Sequence, residues 1–249
     1  LPPETIVDGE LMNATAVSES VTELLDRNGI SRKPTALSVS GNTVIIKKIT
    51  LPLMTQEELE ESIQWEAEQF IPYDIEDVFI GFEVLAPKTE QGQMDVVLVA
   101  AKKEMINDYV DVCHRVGLKP MVVDVDSFAV QNMYEVNHGF HDNETVNLLD
   151  MGNSVISMNI VKDGVTTFTR DLSSGGSDIT GEIQRQLNIT YKEAEIYKMG
   201  GAPDGSGEAE VMPGEVERII QEKAKEMAEE IQESINFYAS TAAEGNIDK

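Results

Sequence analysis

The stretch of sequence that decides the fold is residues 147–154, which read NLLDMGNS. An apolar strand ends there in Asp150, and Gly152 and the hydroxyl residue Ser154 occupy the turn that follows. Glycine allows the backbone to approach a ligand closely, and successive N–H groups of such a turn can converge on an anion. A bare carboxylate would repel a bound phosphate group. We therefore expect Asp150 to hold a Mg²⁺ ion through water, since the metal charge offsets that repulsion. Taken alone, the pattern is explained better by an ordinary strand turn, and a phosphate-binding hairpin is the functional alternative that the residues after the turn favour.

Residues after this turn point to the same chemistry. The string SSGGSDIT at 173–180 opens a predicted helix, and Gly175 and Gly176 at its N-terminus form a second candidate anion or ribose site. Glu195 and Lys198 lie one turn apart on the next predicted helix, where residues i and i+3 share a face. Taken alone, that pair is better explained by a solvated salt bridge worth under about 1 kcal/mol.

The charge of the chain limits its partners. The 249 residues include 45 acidic and 19 basic side chains, which gives a formal net charge of −26. Such a balance repels phosphate backbones, so no nucleic-acid partner is expected. A single phosphate held by backbone N–H groups is compatible with it, since salt screens charges beyond about 8 Å. No run of about 18 apolar residues occurs, so the sequence predicts no membrane span.

The order of strands and helices predicts the architecture. The two alternate along the chain, which favours an α/β fold. Capping boxes at Thr55–Glu58 and Thr190–Glu193 predict two helix starts. The polar segment His138–Glu144 lacks periodicity and suggests a domain boundary near residue 143.

The last third of the chain has clear turn and helix signals. Asp163-Gly164 predicts a tight β-hairpin turn, and the glycine-rich stretch 200–214 predicts a loop. A long helix is expected over 215–240. Its core face should carry six residues, namely Ile220, Ala224, Met227, Ile231, Ile235 and Tyr238.

Three further side chains are candidate reactive or metal-binding groups, namely Cys113, His138 and His141. Cys113 falls on the apolar face of its helix and is expected to be an inert core thiol. His138 and His141 have a metal-like spacing but no third ligand nearby, so a surface loop is favoured.

An acidic run marks a candidate docking surface. Residues 55–83 contain ten acidic side chains and no basic one, and would attract a cationic segment. Trp65 lies off the apolar stripe of its helix and is a candidate exposed anchor. A solvated helix face with Trp65 packed on a neighbouring element explains the pattern equally well.

The order of these pieces resembles a known family. The strings LLDMGNSVISMNIVKDGVTTFTRDLSSGGSDIT at 148–180 and AEIYKMGG at 194–201 are similar to the second half of the actin-like ATPase superfamily. Residues 49–85 and the string DGELMNATAV at 8–17 resemble, within it, the PilM family of type IV pilus assembly proteins, relatives of the division protein FtsA. The resemblance implies an α/β, actin-like (ribonuclease H-like) two-lobed ATPase fold with a small subdomain of the PilM/FtsA type.

The resemblance also implies a site for ATP and Mg²⁺. The matching residues are the phosphate hairpin Asp150, Gly152 and Ser154, the glycines Gly175 and Gly176 near phosphates and ribose, and the pair Glu195 and Lys198 beside ribose and adenine. Asp150 would hold the Mg²⁺ through water. Asp126 aligns loosely with a catalytic carboxylate that orients water, and Asp124 is an alternative for that role.

The same resemblance assigns lobes to the chain. Residues 1–41 and 120–143 would be parts of the first actin-like lobe, 42–119 the small subdomain, and 144–249 the second lobe with a small inserted subdomain. A first phosphate hairpin and a C-terminal Gly-Gly turn have no match, since Asp8-Gly9 is expected to follow no strand. The fold is therefore expected to be incomplete in this chain, with weak nucleotide binding or none.

The implied function is a cytoplasmic, nucleotide-binding scaffold of type IV pilus assembly, with slow or no ATP hydrolysis. It would dock the N-terminal cytoplasmic tail of the inner-membrane protein PilN and meet other inner-membrane pilus assembly proteins at the inner face of that membrane. One alternative is an active ATPase or phosphotransferase of the same superfamily. Another is a docking module without nucleotide binding.

Overall fold

A computed structural model describes residues 1, 4–7, 9–31, 33–41, 43–86, 92–201, 214–241 and 247–249. The chain divides into two compact units, Leu1–Gly139 and Phe140–Lys249. The loop predicted at 200–214 lies almost entirely outside the described residues.

The first unit opens with a small antiparallel hairpin of β1 (Ile6–Val7) and β2 (Glu10–Leu11). The expectation that Asp8-Gly9 follows no strand is therefore wrong, because a strand of two residues is too short to show alternation in the sequence. Gly9 has φ +80°, and a Cβ atom on it would lie 2.1 Å from the Ser40 carbonyl oxygen. The Tyr109 hydroxyl donates to the Gly9 carbonyl at 3.0 Å. Contacts within the unit thus require glycine at this turn.

A parallel strand pair follows in the same unit. Helix α1 (Ala14–Arg27) leads to β3 (Pro34–Val39), which pairs in parallel with the distant β7 (Lys119–Val125). Helix α4 (Asp126–His138) begins directly after β7, so Asp126 is its first residue. A carboxylate is favourable there because the N-terminal end of a helix carries partial positive charge.

A three-stranded antiparallel sheet and a helix form the main core of the first unit. The sheet has the order β4 (Val44–Pro52), β6 (Gln93–Lys102), β5 (Val78–Ala86), and α2 (Gln56–Glu68) packs on it. The buried residues recur at helical spacing in α2 and at every second position in β6: Leu59, Ile63, Ala67, Val96, Leu98 and Ala100. Helix α3 (Lys103–Arg115) then carries the chain from β6 toward β7.

The second unit is built on an antiparallel sheet with the order β10-β9-β8. Its strands are β8 (Thr145–Met151), β9 (Ile156–Lys162) and β10 (Val165–Leu172). The predicted hairpin turn is confirmed, since Asp163 and Gly164 both have positive φ and join β9 to β10. The central strand β9 is buried from Ile156 to Val161.

Three helices complete the second unit, namely α5 (Gly176–Leu187), α6 (Tyr191–Lys198) and α7 (Gly214–Thr241). The predicted long helix is confirmed in α7, but Ala224 is exposed rather than in the core. The buried face of α7 is centred on Val216, Ile219, Met227, Ser234 and Tyr238, and position 224 falls on its flank. Met227 packs with residues of β9 and β10, which places α7 against the sheet.

Both predicted capping boxes are confirmed. The Thr55 hydroxyl accepts the Glu58 N–H, and the Glu58 carboxylate accepts the Thr55 N–H at 2.8 Å. Thr190 and Glu193 make the same reciprocal pair at the start of α6. These bonds satisfy backbone donors that have no partner within the helix.

Candidate functional site

The loop between β8 and β9 forms the centre of the candidate site. Asp150 is exposed near the end of β8, and the Gly152 N–H donates to the Val155 carbonyl at 2.9 Å, which closes the turn. The Asn153 side chain donates to the Ser154 hydroxyl at 3.1 Å. In the part of the chain that is described, the N–H groups of Asn153 and Ser154 donate to no protein acceptor. They are therefore available to an anion.

The N-terminus of α5 holds this loop in place. The Gly176 N–H donates to the Gly152 carbonyl at 3.1 Å. The backbone N–H and the hydroxyl of Ser177 both donate to the Asn153 carbonyl at 2.7 Å. Donors that the sequence suggested for an anion are thus used by the chain itself, and direct ligand binding by this helix end stays a prediction.

Gly175 completes the same contact. Its N–H donates to the Asp178 carboxylate at 2.8 Å, and the Asp178 N–H donates to the Gly175 carbonyl at 3.1 Å. A Cβ atom on Gly175 would lie 2.5 Å from the Asn153 carbonyl oxygen. Glycine is required here because the turn before α5 touches the loop backbone directly.

Glu195 and Lys198 belong to a partly buried network between α5 and α6. The Lys198 ammonium lies 2.7 Å from the Glu195 carboxylate, 2.9 Å from the Thr180 hydroxyl and 3.1 Å from the Gly176 carbonyl. The Thr180 side chain is fully buried, and its hydroxyl lies 2.6 Å from the same Glu195 oxygen. The salt bridge expected between these two residues is confirmed, but it is partly buried rather than solvated, since the lysine side chain is only 18% exposed.

The network sets the charge of the carboxyl group. Burial alone would raise the pKa of Glu195, but hydrogen bonds from Lys198 and Thr180 outweigh burial. Together with the Lys198 charge they lower that pKa below its usual value. Glu195 is therefore an anion at neutral pH and can only accept hydrogen bonds.

Asp126, the predicted water-orienting residue, lies in the first unit, whereas the other predicted site residues share the second. Burial and the Asp126 charge raise the pKa of Tyr109. The alternative residue Asp124 accepts the Val125 N–H at 2.8 Å and a longer bond from Asn132. Neither contact assigns a catalytic role, so the role of Asp126 stays a prediction.

The remaining candidates are placed as follows. Cys113 is 4% exposed, and burial raises the pKa of its thiol, as expected for a core residue. His138 lies against the Tyr134 ring at 5.0 Å, and no group of three potential ligands that could hold a metal occurs among the described residues. Trp65 is 77% exposed, so the alternative in which it packs on a neighbouring element is wrong.

Within the described ranges, no helix combines the length and apolar character needed to cross a membrane.

Sequence reasoning missed Asn153 and Thr180. Asn153 lies within the loop sequence 147–154. Nothing in that sequence shows that its side-chain amide donates a hydrogen bond to the Ser154 hydroxyl rather than occupying an ordinary turn position. Thr180 lies four residues after Gly176, on the same side of α5, and this spacing was the available signal. Its partners on α6 are set by tertiary packing.

Comparison with known proteins identifies the family. A family model described as type IV pilus assembly protein PilM matches residues 1–249. The chain belongs to the PilM family. A chain of a solved PilM-PilN type IV pilus biogenesis complex matches this PilM-family chain with a TM-score of 0.80 and 26% identity. The match covers 97% of this chain and 69% of that one.

A second solved structure bears on the fold alone. The ethanolamine utilization protein EutJ from Carboxydothermus hydrogenoformans matches with a TM-score of 0.55 and 15% identity, over 94% of this chain and 60% of its own. The predicted α/β, actin-like fold is confirmed. The PilM-family chain spans less than two thirds of the EutJ chain.

Proposed function

We propose that this chain belongs to a nucleotide-binding scaffold of type IV pilus assembly that docks the N-terminal cytoplasmic tail of an inner-membrane PilN protein. The observation that carries the proposal is the similarity of this PilM-family chain, over 97% of its length, to a chain of a solved PilM-PilN complex. The protein would act in the cytoplasm, held at the inner face of the inner membrane by PilN. Other inner-membrane pilus assembly proteins would be further partners.

The proposal divides the chain into the parts of an actin-like protein. Residues 1–41 and 120–143 would belong to the first lobe, which is supported by the parallel pairing of β3 with β7. Residues 42–119 would be the small subdomain, and they include the whole β4-β6-β5 sheet. Residues 144–249 would form the second lobe.

The residues of the β8–β9 loop fit an ATP·Mg²⁺ ligand. The available N–H groups of Asn153 and Ser154 would donate to phosphate oxygens, and exposed Asp150 would hold Mg²⁺ through water. The bound metal would supply positive charge that offsets the repulsion between this carboxylate and the phosphates. The contacts of Gly175 and Gly176 with the loop would hold these donors in place before the ligand binds.

Calorimetry tests the nucleotide site. The full protein should bind ATP in a Mg²⁺-dependent manner, and Asp150→Ala should weaken binding by about tenfold or more, because a charged contact is lost. Asp142→Ala removes an exposed carboxylate from the same unit and should leave affinity unchanged. If the folded protein binds no ATP, the alternative function is favoured, namely a docking module that does not bind nucleotide.

The acidic face of α2 is proposed as part of the PilN-docking surface. Trp65 is strongly exposed there, with exposed Glu61 and Glu68 one turn to either side. The carboxylates would attract lysine or arginine side chains of an incoming tail, and the indole would provide an apolar anchor. The exposure of Trp65 supports this surface as the docking site that the acidic run of residues 55–83 predicts.

A peptide titration tests that surface. The cognate PilN tail should bind the wild-type protein, and Trp65→Ala should weaken binding by about tenfold or more. Val136→Ala truncates an exposed apolar side chain on α4 and serves as the matched control. Equal affinities for all three proteins would show that the tail docks elsewhere.

A further inference from the structure

A groove at the C-terminal end of α3 contains basic and apolar residues and no acidic one. It has a volume of about 380 Å³ and lies within the first unit. Its lining residues are Lys33, Pro34, His114, Gly117, Leu118 and Lys119. The absence of an acidic residue from this lining is unexpected by chance, because acidic side chains outnumber basic ones by 45 to 19 in the chain. The groove is therefore a local basic surface on an acidic protein.

The turn after α3 brings the basic residues together. The Gly117 N–H donates to the His114 carbonyl at 3.1 Å, and the N–H of the next residue donates to the Cys113 carbonyl at 2.9 Å. These two bonds form a Schellman motif, which needs a residue with positive φ, and Gly117 has φ +79°. The Lys119 N–H then donates to the Lys33 carbonyl at 3.1 Å, where β7 meets β3. The backbone thus fixes the two lysines beside the end of α3.

The protein itself does not use these basic side chains. Lys33, His114, Arg115 and Lys119 are exposed, and their side chains make no ion pair, hydrogen bond or ring contact among the described residues. At least eight other lysine and arginine side chains form ion pairs in the same part of the chain. The Schellman turn already satisfies carbonyls at the end of α3, so the helix needs no basic side chain as a cap. The groove cations remain available to a partner.

The shape and charge of the groove indicate which kind of anion fits. A small phosphate ligand needs a pocket that encloses most of its surface, whereas the cations of this groove are exposed. Recognition of an anionic membrane takes clusters of about four to eight lysine or arginine residues, and the described residues supply three here. A nucleic acid would extend beyond the groove and meet a protein of net charge −26. A short acidic peptide avoids each of these difficulties.

We propose that this groove is a further docking surface, which binds an acidic segment of a partner protein. The carboxylates of that segment would pair with Lys33, Arg115 and Lys119, and its apolar side chains would contact Pro34 and Leu118. An exposed ion pair contributes little by itself, so several pairs must act together with the apolar contacts. The inference goes beyond the proposed nucleotide and PilN sites and uses none of their residues.

Fluorescence anisotropy with a labelled synthetic peptide tests the groove. The probe is a short peptide of alternating glutamate and leucine, and the comparison peptide has glutamine in place of glutamate. The full wild-type protein should bind the acidic peptide about tenfold more tightly than the neutral one, and added salt should reduce this difference. Combined Lys33→Glu and Lys119→Glu substitutions should weaken binding of the acidic peptide by about tenfold or more, because attraction becomes repulsion.

The matched control combines Lys192→Glu and Lys225→Glu, which reverse two exposed lysines of the second unit and change the net charge equally. Its affinity should equal that of the wild-type protein. An equal loss in both double variants would show that net charge governs binding, and would overturn the groove. Absence of peptide binding in the wild-type protein would overturn it too. If that protein instead binds phosphatidylglycerol vesicles through the two groove lysines, the surface serves the membrane and the proposal is wrong.

Thermal unfolding checks that each variant is folded. If the charge-reversed groove variant does not fold, combined Lys33→Gln and Lys119→Gln substitutions decide the point, because unchanged affinity in that variant excludes the lysines as the binding groups. Neither ATP nor the PilN tail enters these experiments. Failure of the groove proposal and failure of the proposed function are therefore distinguishable.

Discussion

Gly175 lies so close to Asn153 that a Cβ atom on the glycine would sit 2.5 Å from the Asn153 carbonyl oxygen. Both partners of this contact are backbone, so neither can move aside by changing a rotamer. The φ of Gly175 is −176°, which any residue adopts, so the requirement for glycine comes from space alone. This contact fixes the turn before α5 on the proposed phosphate loop.

Gly175→Ala should therefore destabilise the protein by about 1–3 kcal/mol, the usual range for forcing extra atoms into a packed site. Thermal or urea unfolding measures the change. Gly181→Ala, inside the helix α5 that follows this turn, is the control, because its new Cβ would meet nothing within 4 Å. That variant should be more stable than wild type by about 0.5–1 kcal/mol, since alanine is the better helix former. Similar stabilisation by both substitutions would contradict the close contact.

Glu182 should contribute to acid sensitivity. Hydrogen bonds from Arg185 and Gln186 lower the pKa of Glu182 from 4.5 to about 2. Below pH 4.5 the unfolded chain takes up a proton that the folded chain does not, so the contribution is present above 4.5 and is lost as the pH falls toward 2. Glu182→Gln should lose less stability than wild type between about pH 7 and pH 3.

Urea midpoints at the two pH values provide that comparison. Glu233→Gln removes an exposed carboxylate from the interior of α7 that makes no ion pair among the described residues and is the control. The loss of stability that this control variant shows on acidification should match that of the wild-type protein. An identical pH response in wild type and Glu182→Gln would rule out the stabilising role of this group.

Cys113 should react slowly with thiol reagents in the native protein. It is the single cysteine of the chain, so any signal belongs to it. The side chain is buried and the pKa of the thiol is raised by burial, which reduces both access and the thiolate fraction. A disulfide reagent monitored by absorbance should show fast reaction only after denaturant is added. Rapid reaction in buffer would mean that α3 opens easily or that the thiol faces solvent.

Trp65, the single tryptophan, should report its surroundings through fluorescence. Its exposure predicts emission close to that of tryptophan in water. Glu61 and Glu68 flank it, so the cation caesium should quench it more efficiently than the anion iodide at equal ionic strength. Addition of the PilN tail should reduce quenching by both ions. Equal quenching by the two ions in the free protein would contradict a negative local potential.

Some elements could be predicted because their causes are local. The hairpin turn at Asp163-Gly164 needs two residues with positive φ, and both capping boxes need only side chains within four residues of the helix start. The long helix α7 follows in the same way from helical spacing. Its buried face could not be placed to the residue, because the sheet beneath it decides whether position 224 is covered.

The candidate site likewise has features with local causes and features that depend on tertiary packing. Sequence alone determined an α/β chain with an Asp-x-Gly turn and a glycine-started helix, because strand, turn and helix signals lie within a few residues of each other. Only the tertiary structure decided that the α5 N-terminus is used to hold the β8–β9 loop, and that Thr180 unites Glu195 with Lys198. Hydrogen bonds between residues 15 to 24 positions apart depend on how helices and strands pack, and no local pattern specifies that packing.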